Sequence, residues 1–300
     1  MNCYKFNAFF DNNLTKHNPN YYSIENLFFH CISSGHYWRN SQILELSVLY
    51  IDKNQKCSVI KWQSENEEDE YDILHDFVEI TKSFERLIGY ICTCFHIPYL
   101  EAKIKAYGLN SPFTQKEHID LLREIKSIGN HLHISTKLND LRIFLNIPDE
   151  ASEIECIAYI TQLFIYDDIL SGKFKIQKIE QLDENDVIIT CITESELPTD
   201  IRIHDEEFYM IGSGNQLKIK IKIVDGYVKL HYSNYKDYYY LPDEQMILHK
   251  SLASAIPKAK KIRATKENCY SLISFENTLI NNRAGIYQFV VSLLSYYKQK

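Results

Sequence analysis

Three short apolar runs at hairpin spacing precede the first helical pattern, and this order constrains the fold more than any other feature of the 300-residue sequence. The runs cover residues 24–32, 42–50 and 57–62 and are rich in β-branched and aromatic side chains, which favour strands. The turn-like residues 52–54 join the second run to the third. The pattern predicts three consecutive strands of an antiparallel meander.

Helical periodicity begins at residue 67. Apolar residues in 67–84 recur at the 3.6-residue period, and acidic residues fill the first turn, where they favour a helix N-terminus. The elements predicted after this helix are strands over residues 87–92 and 116–120 and helices over residues 98–107, 138–145 and 154–170. Three strands followed by alternating helices and strands predict an α/β domain with a mixed sheet over residues 21–175.

The pattern becomes β-like after Gly172. Residues 216–224 alternate strictly between apolar side chains and the row Lys218, Lys220 and Lys222, which predicts a strand with one solvated or phosphate-binding face. Residues 225–226, Asp-Gly, predict a type I′ hairpin turn into a strand over 227–232. The predicted domains are a polar N-terminal segment (1–20), the α/β domain (21–175), a β-rich region (176–250) and a basic C-terminal segment (251–300).

Charge is distributed unevenly along the chain. The net charge is -7, which does not mark the whole chain as a nucleic-acid binder. Residues 250–300 contain nine Lys and Arg against Glu267 and Glu276, a net charge of +7, so residues 1–249 carry -14. The basic end permits DNA or RNA as a partner, while a solvated surface or a contact between the two halves explains it equally well.

Cysteine usage and the N-terminus bear on localisation. Eight cysteines are scattered, with no two Cys-x-x-Cys pairs, and the first twenty residues contain no apolar signal region. No run approaches the roughly 20 apolar residues that a membrane span needs. These features predict reduced thiols in a cytoplasmic protein without a membrane partner.

Local motifs accompany the element order. They read FHCISSG (29–35), WRNSQI (38–43), LIGY (87–90), CFHIPYL (94–100), YDD (166–168), NYKDYYYLP (234–242) and HKS (249–251). With these motifs the chain resembles the RNase H-like exonuclease superfamily, DnaQ-like or DEDD, and in particular the YprB-type ribonuclease H-like proteins of low-GC Gram-positive bacteria. The resemblance covers most of the chain and implies an α/β, RNase H-like mixed sheet flanked by helices and followed by a mainly β C-terminal region.

The resemblance also implies a site. In that superfamily four carboxylates bind two divalent metals, which activate a water and stabilise the leaving oxygen during 3′–5′ exonuclease hydrolysis. The matching positions here are His30 and Ile32 on the first strand, His96 before the Ile-Pro pair, and Asp168, with Phe164 where the family has a Tyr or His. Only Asp168 keeps a carboxylate, so Mg²⁺ or Mn²⁺ binding and catalysis are expected to be impaired.

Two interpretations of the histidines are open. His30 and His96 are either buried histidines that fill the space of the lost carboxylates, or they converge with Asp168 on a site for Zn²⁺ or another borderline metal, with Cys92 or Cys94 as a further ligand. For Asp168, a second interpretation is that it is an ordinary ion-paired residue of a helix. We expect the two imidazoles to lie side by side, with Asp168 facing them from the last helix.

Three functions are compatible with these residues. The first is a non-catalytic RNase H-like protein that binds DNA, RNA or a protein partner through the cleft. The second is an active nuclease with an unusual His/Asp metal site, and the third is a structural or assembly protein whose cleft is vestigial. Trp38, Arg39 and the Tyr run at 238–240 can stack on bases or pack; Asp120 and Asp167 lie near the right elements without matching a metal position.

Overall fold

The computed structural model describes residues 1–8, 20–275 and 282–299. These residues form two compact units, Met1–Phe164 and Ile165–Lys300. The described helices and strands include no helix that is long and apolar enough to cross a membrane.

The first unit is built on a mixed sheet, as the sequence predicts, and this sheet has six strands where five were predicted. Its strands are β1 (Asn2–Asn7), β2 (Asn26–Ser33), β3 (Ile43–Ile51), β4 (Cys57–Gln63), β5 (Arg86–Gly89) and β6 (Glu117–Asp120). The spatial order is β1-β4-β3-β2-β5-β6. The meander β2-β3-β4 is antiparallel, whereas β5 runs parallel to both β2 and β6. Strand β2 therefore lies in the middle of the sheet, where the antiparallel and parallel halves meet.

Helices cover the sheet of the first unit. They are α1 (Asp69–Thr81), α2 (Ile97–Ala106), α3 (Leu121–Leu132), α4 (Leu138–Phe144) and α5 (Glu153–Tyr159). The main core joins Leu27 and Phe29 of β2 to Phe77 of α1 and Leu100 of α2, all of them fully buried. Because successive strand residues point to opposite faces, Phe28, His30 and Ile32 lie on the other face of β2, against which α5 packs.

The structure departs from the predicted elements of this unit at three places. The polar N-terminal segment contains β1, because the open edge of β4 offers backbone hydrogen bonds that six residues of the segment accept and donate. The strand predicted over 87–92 ends at Gly89, since Ile91 takes a left-handed conformation (φ 56°) and Cys92–His96 form a π-helical turn.

The helix predicted over 154–170 is broken. Residues 160–163 form a 3₁₀ turn between α5 and α6 (Phe164–Leu170). The hydroxyls of Tyr22 and Thr161 both donate to the Ala158 carbonyl. Side-chain hydrogen bonds of this kind compete with the backbone hydrogen bonds of a regular helix. The single helical face that the spacing of Ile157, Thr161, Phe164 and Asp168 predicts is therefore not continuous.

The second unit is mainly β, as predicted. A five-stranded antiparallel sheet of order β7-β8-β11-β10-β9 contains β7 (Lys175–Gln181), β8 (Asp186–Ile192), β9 (Ile201–His204), β10 (Phe208–Ser213) and β11 (Gln216–Lys222). Two small sheets pair β12 (Tyr227–His231) with β16 (Tyr270–Ser274), and β13 (Tyr238–Leu241) with β14 (Met246–His249) and β15 (Ile262–Arg263). The helix α7 (Arg283–Gln299) ends the described chain and buries one apolar face.

The predicted hairpin exists only as a turn. Asp225 and Gly226 both have positive φ, as a type I′ turn requires, and Val224 and Tyr227 exchange backbone hydrogen bonds across it. Strand β12 nevertheless pairs with β16 and not with β11. Both edges of β11 are already occupied by β8 and β10, so no ladder is open to β12.

Candidate functional site

The first histidine of the site is held by the central strand. His30 lies on β2, two residues before Ile32 and on the same face, as the sequence predicts. Its imidazole is 12% exposed, and its Nε2 lies 2.7 Å from Oε2 of Glu153, which is half-exposed. Glu153 opens α5, where the neighbouring Glu155 accepts a hydrogen bond from the backbone N–H of Ser152 at 2.9 Å.

The second histidine is held by a turn that Asp120 organises. His96 ends the π-helical turn and precedes α2. Asp120 caps α3 by accepting from the Leu122 N–H, and it also accepts from the N–H groups of Ile91 and Thr93 at 3.0 Å and from the Thr93 hydroxyl at 2.7 Å. These bonds occupy both oxygens of Asp120, so its carboxylate fixes the turn that presents His96.

The two imidazoles lie side by side, which confirms that part of the prediction. Their ring centroids are 4.9 Å apart at an interplanar angle of 66°. The Nδ1 atoms of both rings are buried and have no hydrogen-bond partner among the described residues. Burial, reinforced by His30, lowers the pKa of His96 to about 4, so this ring is neutral at neutral pH. The hydrogen bond from His30 lowers the pKa of Glu153, which keeps that carboxylate ionised.

Phe164 occupies the position where the resemblance implies a Tyr or His. Its ring stacks on Tyr21 with a centroid distance of 4.8 Å and an interplanar angle of 2°. Burial raises the pKa of Tyr21 to about 12, so the hydroxyl stays protonated. A phenyl ring can neither orient nor deprotonate a water, and the contact with Tyr21 gives Phe164 a packing role.

Asp168 belongs to the second unit, and its place opposite the histidines stays a prediction. Within its own unit Asp168 is half-exposed and its Oδ1 accepts from Nζ of Lys173 at 2.7 Å. The adjacent Asp167 pairs with Lys298 at 2.6 Å. Both carboxylates therefore have ordinary ion-pair partners.

The cysteines proposed as further ligands differ in exposure. Cys92 is buried, its thiol donates to the Ile119 carbonyl, and burial raises its pKa to about 12, whereas Cys94 is exposed. Within residues 1–8, 20–275 and 282–299, no group of three or more His, Cys, Asp or Glu is arranged to hold a metal ion.

The donor set does not fit the pair of Mg²⁺ ions that the fold family implies. Mg²⁺ takes hard oxygen ligands in octahedral order. The positions on β2 supply the imidazole of His30 and the alkyl group of Ile32, and the π-helical turn supplies a second imidazole. These three side chains supply no carboxylate oxygen.

An aromatic rim adjoins the histidines. It consists of His36, Tyr37, Trp38, Arg39 and Phe95. The His36 ring meets Phe95 edge-on with centroids 5.2 Å apart, and Phe95 in turn contacts His96 at 5.2 Å. Tyr37 is 56% exposed, and the Arg39 guanidinium lies 5.2 Å from the Trp38 ring centroid. The rings of His36, Phe95 and His96 therefore form a continuous path from the exposed His36 to the buried imidazole.

Sequence reasoning missed Glu153 and the contact of His36 with Phe95. A signal for Glu153 was present, because Ser152-x-x-Glu155 is a helix-start pattern that places Glu153 in the first turn. The ring contact has no comparable signal, since it joins a loop to a turn sixty residues away.

A family model supports the RNase H-like fold. Residues 27–165 match the family model described as RNase_H superfamily. Curated proteins give no match. Among solved structures, apo exonuclease I is 10% identical, with 55% of this chain and 56% of that chain covered and a TM-score of 0.39. Exonuclease I of E. coli in complex with a dT13 oligonucleotide is 10% identical over 92% of this chain and 71% of that chain, with a TM-score of 0.38. These scores give no basis for assigning an activity.

Proposed function

From the RNase H-like domain at residues 27–165, we propose a protein of nuclease ancestry that binds a nucleic-acid strand at the His30–His96 cleft with little or no Mg²⁺-dependent exonuclease activity. One observation supports the proposal: at the positions that the motif resemblance matches to metal-binding carboxylates and a water-activating side chain, the chain has two neighbouring imidazoles, an alkyl group and a stacked phenyl ring. The motif resemblance supports placing the protein near the YprB-type group.

Loss of hydrolysis follows from the donor chemistry. Each metal of a two-metal site stabilises charge on the attacking or the leaving oxygen, and both terms vanish without the carboxylates that bind the metals. Phe164 cannot replace the missing base. The His30–His96 pair therefore lacks the means to cut a phosphodiester.

Strand binding is supported by the aromatic rim. Exposed aromatic rings stack on unpaired bases, and an Arg guanidinium adds a cation for the backbone. The first unit carries 15 Lys and Arg against 22 Asp and Glu, a net charge of -7. Because phosphate attraction is weak on such a surface, stacking has to supply most of the affinity, and the salt dependence is expected to be shallow. The basic C-terminal segment is a second candidate contact for DNA or RNA.

Fluorescence anisotropy with dye-labelled single strands of DNA and RNA, and with a duplex, tests the proposal. We expect single strands to bind and Tyr37→Ala to weaken binding by about tenfold, within the range that loss of one base stack produces. Tyr227→Ala is the matched control, since Tyr227 is an exposed tyrosine (47%) of the second unit.

The outcomes separate the candidate functions. Absence of binding to every probe would favour a structural or assembly role and contradict the proposal. Binding that Tyr37→Ala leaves unchanged would move the contact away from the rim. Neither outcome depends on a metal.

A further inference from the structure

We infer that one face of the five-stranded sheet in the second unit is a further contact surface for single-stranded nucleic acid, which it binds through the phosphates. The cations of this face, here called the lysine face, are Lys175 and Lys178 of β7, Lys218, Lys220 and Lys222 of β11, and Arg202 of β9. The lysine face shares no residue with the His30–His96 cleft or the aromatic rim, and binding at the lysine face requires neither of them.

The central strand β11 supplies a straight row of lysines. Its apolar side chains are buried, whereas Lys218 and Lys222 are exposed and Lys220 is half-exposed. Side chains two residues apart on a strand point to the same face and lie about 6.8 Å from one another. A regular row of ammonium groups on the middle strand suits a ligand that is itself a chain of negative charges.

Neighbouring strands extend the positive charge across the sheet. Thr190 of β8 pairs with Lys178 on one side and with Lys218 on the other. Lys218 also pairs with Ile211 of β10, which in turn pairs with Arg202 of β9. Paired residues of neighbouring strands lie on the same face. Cations of three different strands therefore stand in one line across the lysine face.

Most of this charge is not neutralised. The face carries two carboxylates, Glu180 and Asp186, which pair with Lys178 at 2.6 Å and with Lys220 at 2.8 Å. The four other cations of the lysine face have no ion-pair partner among the described residues. The second unit as a whole contains 18 Lys and Arg against 18 Asp and Glu, so the face concentrates positive charge on a unit without net charge. Such a surface attracts phosphates.

The other side chains of the face favour a nucleic-acid strand over a membrane. Tyr209 pairs with Lys220, is half-exposed, and meets the His204 ring edge-on at a centroid distance of 5.9 Å. An aromatic ring among phosphate-binding cations is typical of surfaces that bind single strands. The apolar surface offered to solvent is small, since Ile211 is 37% exposed and Ile188 is half-buried. Insertion into a lipid interface requires a larger apolar area.

Fluorescence anisotropy with a dye-labelled abasic strand, which keeps the phosphates and lacks the bases, tests the inference on the full chain. We expect binding at low salt whose logarithm falls against log[salt] with a slope of about -2 to -3, because each of the four unpaired cations contributes about -0.7. Lys218→Gln combined with Lys222→Gln should weaken binding by about tenfold and flatten the slope by about 1 to 2. Lys218→Arg combined with Lys222→Arg should retain binding.

The matched control is Lys258→Gln combined with Lys260→Gln. These two lysines are exposed, lie two residues apart and belong to the second unit, but they are not part of the lysine face. Affinity and slope should stay at their wild-type values, and circular dichroism should show the same strand content in every variant. A loss in the control as large as that of the β11 variant would assign the contact to the basic C-terminal segment and overturn the inference.

Probe chemistry separates this surface from the aromatic rim. Tyr37→Ala should leave binding of the abasic strand unchanged, because that strand has no bases to stack, so failure of either proposal leaves the other intact. Tyr209→Ala should weaken binding of a base-bearing strand and not of the abasic one. Absence of abasic-strand binding at low salt would contradict the inference, as would displacement of the strand by poly-glutamate of equal charge as effectively as by unlabelled strand.

Discussion

Two clusters of buried polar side chains in the first unit differ in whether their atoms have partners. Glu70 of α1 and Lys103 of α2 form an ion pair at 2.9 Å with side-chain exposures of 5% and 8%. Glu70 also accepts from the Ile43 N–H at 2.8 Å and the Tyr107 hydroxyl at 2.9 Å, and Lys103 donates to the Ser41 carbonyl. Every oxygen of this carboxylate is used.

The histidine cluster is equally buried but incomplete. His30 and His96 each leave Nδ1 without a hydrogen bond in the described structure. The Glu70–Lys103 cluster connects two helices to the start of β3, and we interpret it as a structural network. The unpaired cluster stabilises nothing through those nitrogens, and burial of an unsatisfied polar atom costs about 1–3 kcal/mol. The two clusters therefore differ in how completely their buried polar atoms are hydrogen-bonded.

The largest expected effect comes from breaking the paired cluster. Glu70→Ala leaves the Lys103 ammonium buried without its counter-ion and should lower the free energy of unfolding of the first unit by about 3–5 kcal/mol. Urea titration followed by tryptophan fluorescence reports on this unit, because Trp38 and Trp62 are the two tryptophans of the chain.

Glu79→Ala is the control for that experiment. Glu79 lies on the same helix in an exposed pair with Lys82, so its removal should not change the unfolding midpoint measurably. If Glu70→Ala and Glu79→Ala lowered the free energy of unfolding equally, the buried network would be no more stabilising than a surface ion pair.

Acid should destabilise the unpaired cluster. In metal-free protein the folded pKa of His96 is about 4, below the ordinary 6.5, with His30, Asp120 and Glu153 as the charged or titratable neighbours. Between these two pKa values His96 is protonated in the unfolded chain but neutral in the folded chain. The free energy of unfolding therefore falls as the pH drops from about 6.5 towards 4. Between about pH 7 and pH 5 the loss through His96 is about 2 kcal/mol. Urea midpoints in the presence of EDTA measure it, and a His96→Leu variant with the same pH slope would contradict this assignment.

The smallest expected effect is that of removing an unpaired imidazole at neutral pH. His96→Leu eliminates a buried nitrogen without a partner as well as the bond to the Tyr90 backbone, so the unfolding free energy should change by only about 1 kcal/mol or less. The comparison with Glu70→Ala is direct, since both side chains are buried to a similar degree. A loss of unfolding free energy as large as that of Glu70→Ala would show that His96 has a structural role.

The sequence predicted the sheet that carries the site better than it predicted contacts between residues distant along the chain. Hairpin spacing and the two-residue period of β2 were sufficient to predict the mixed sheet and the shared face of His30 and Ile32. The π-helical turn was not predictable, because it depends on hydrogen bonds from residues 91 and 93 to Asp120, nearly thirty positions along the chain. The pairing of β12 was missed for a related reason: a local Asp-Gly signal specifies a turn but not which strand edges are already occupied.

The candidate ligands show the same division. The motif resemblance brought His30 and His96 together correctly. It could not reveal Glu153, whose role depends on where α5 begins relative to β2. Restoring the carboxylates with His30→Asp, Ile32→Glu and His96→Asp should recover Mg²⁺ binding but not full turnover, since Phe164 still supplies no acid or base.

The most direct test of the account is hydrolysis of an end-labelled single-stranded oligonucleotide by the purified full chain with Mg²⁺ or Mn²⁺. We expect no metal-dependent release of nucleotides above that of a buffer control, because β2 and the turn before α2 carry no carboxylates at the positions matched to the metal ligands. Robust release by the wild type that Asp168→Asn abolishes would contradict it. That result would show that the imidazoles and Asp168 together serve a working nuclease.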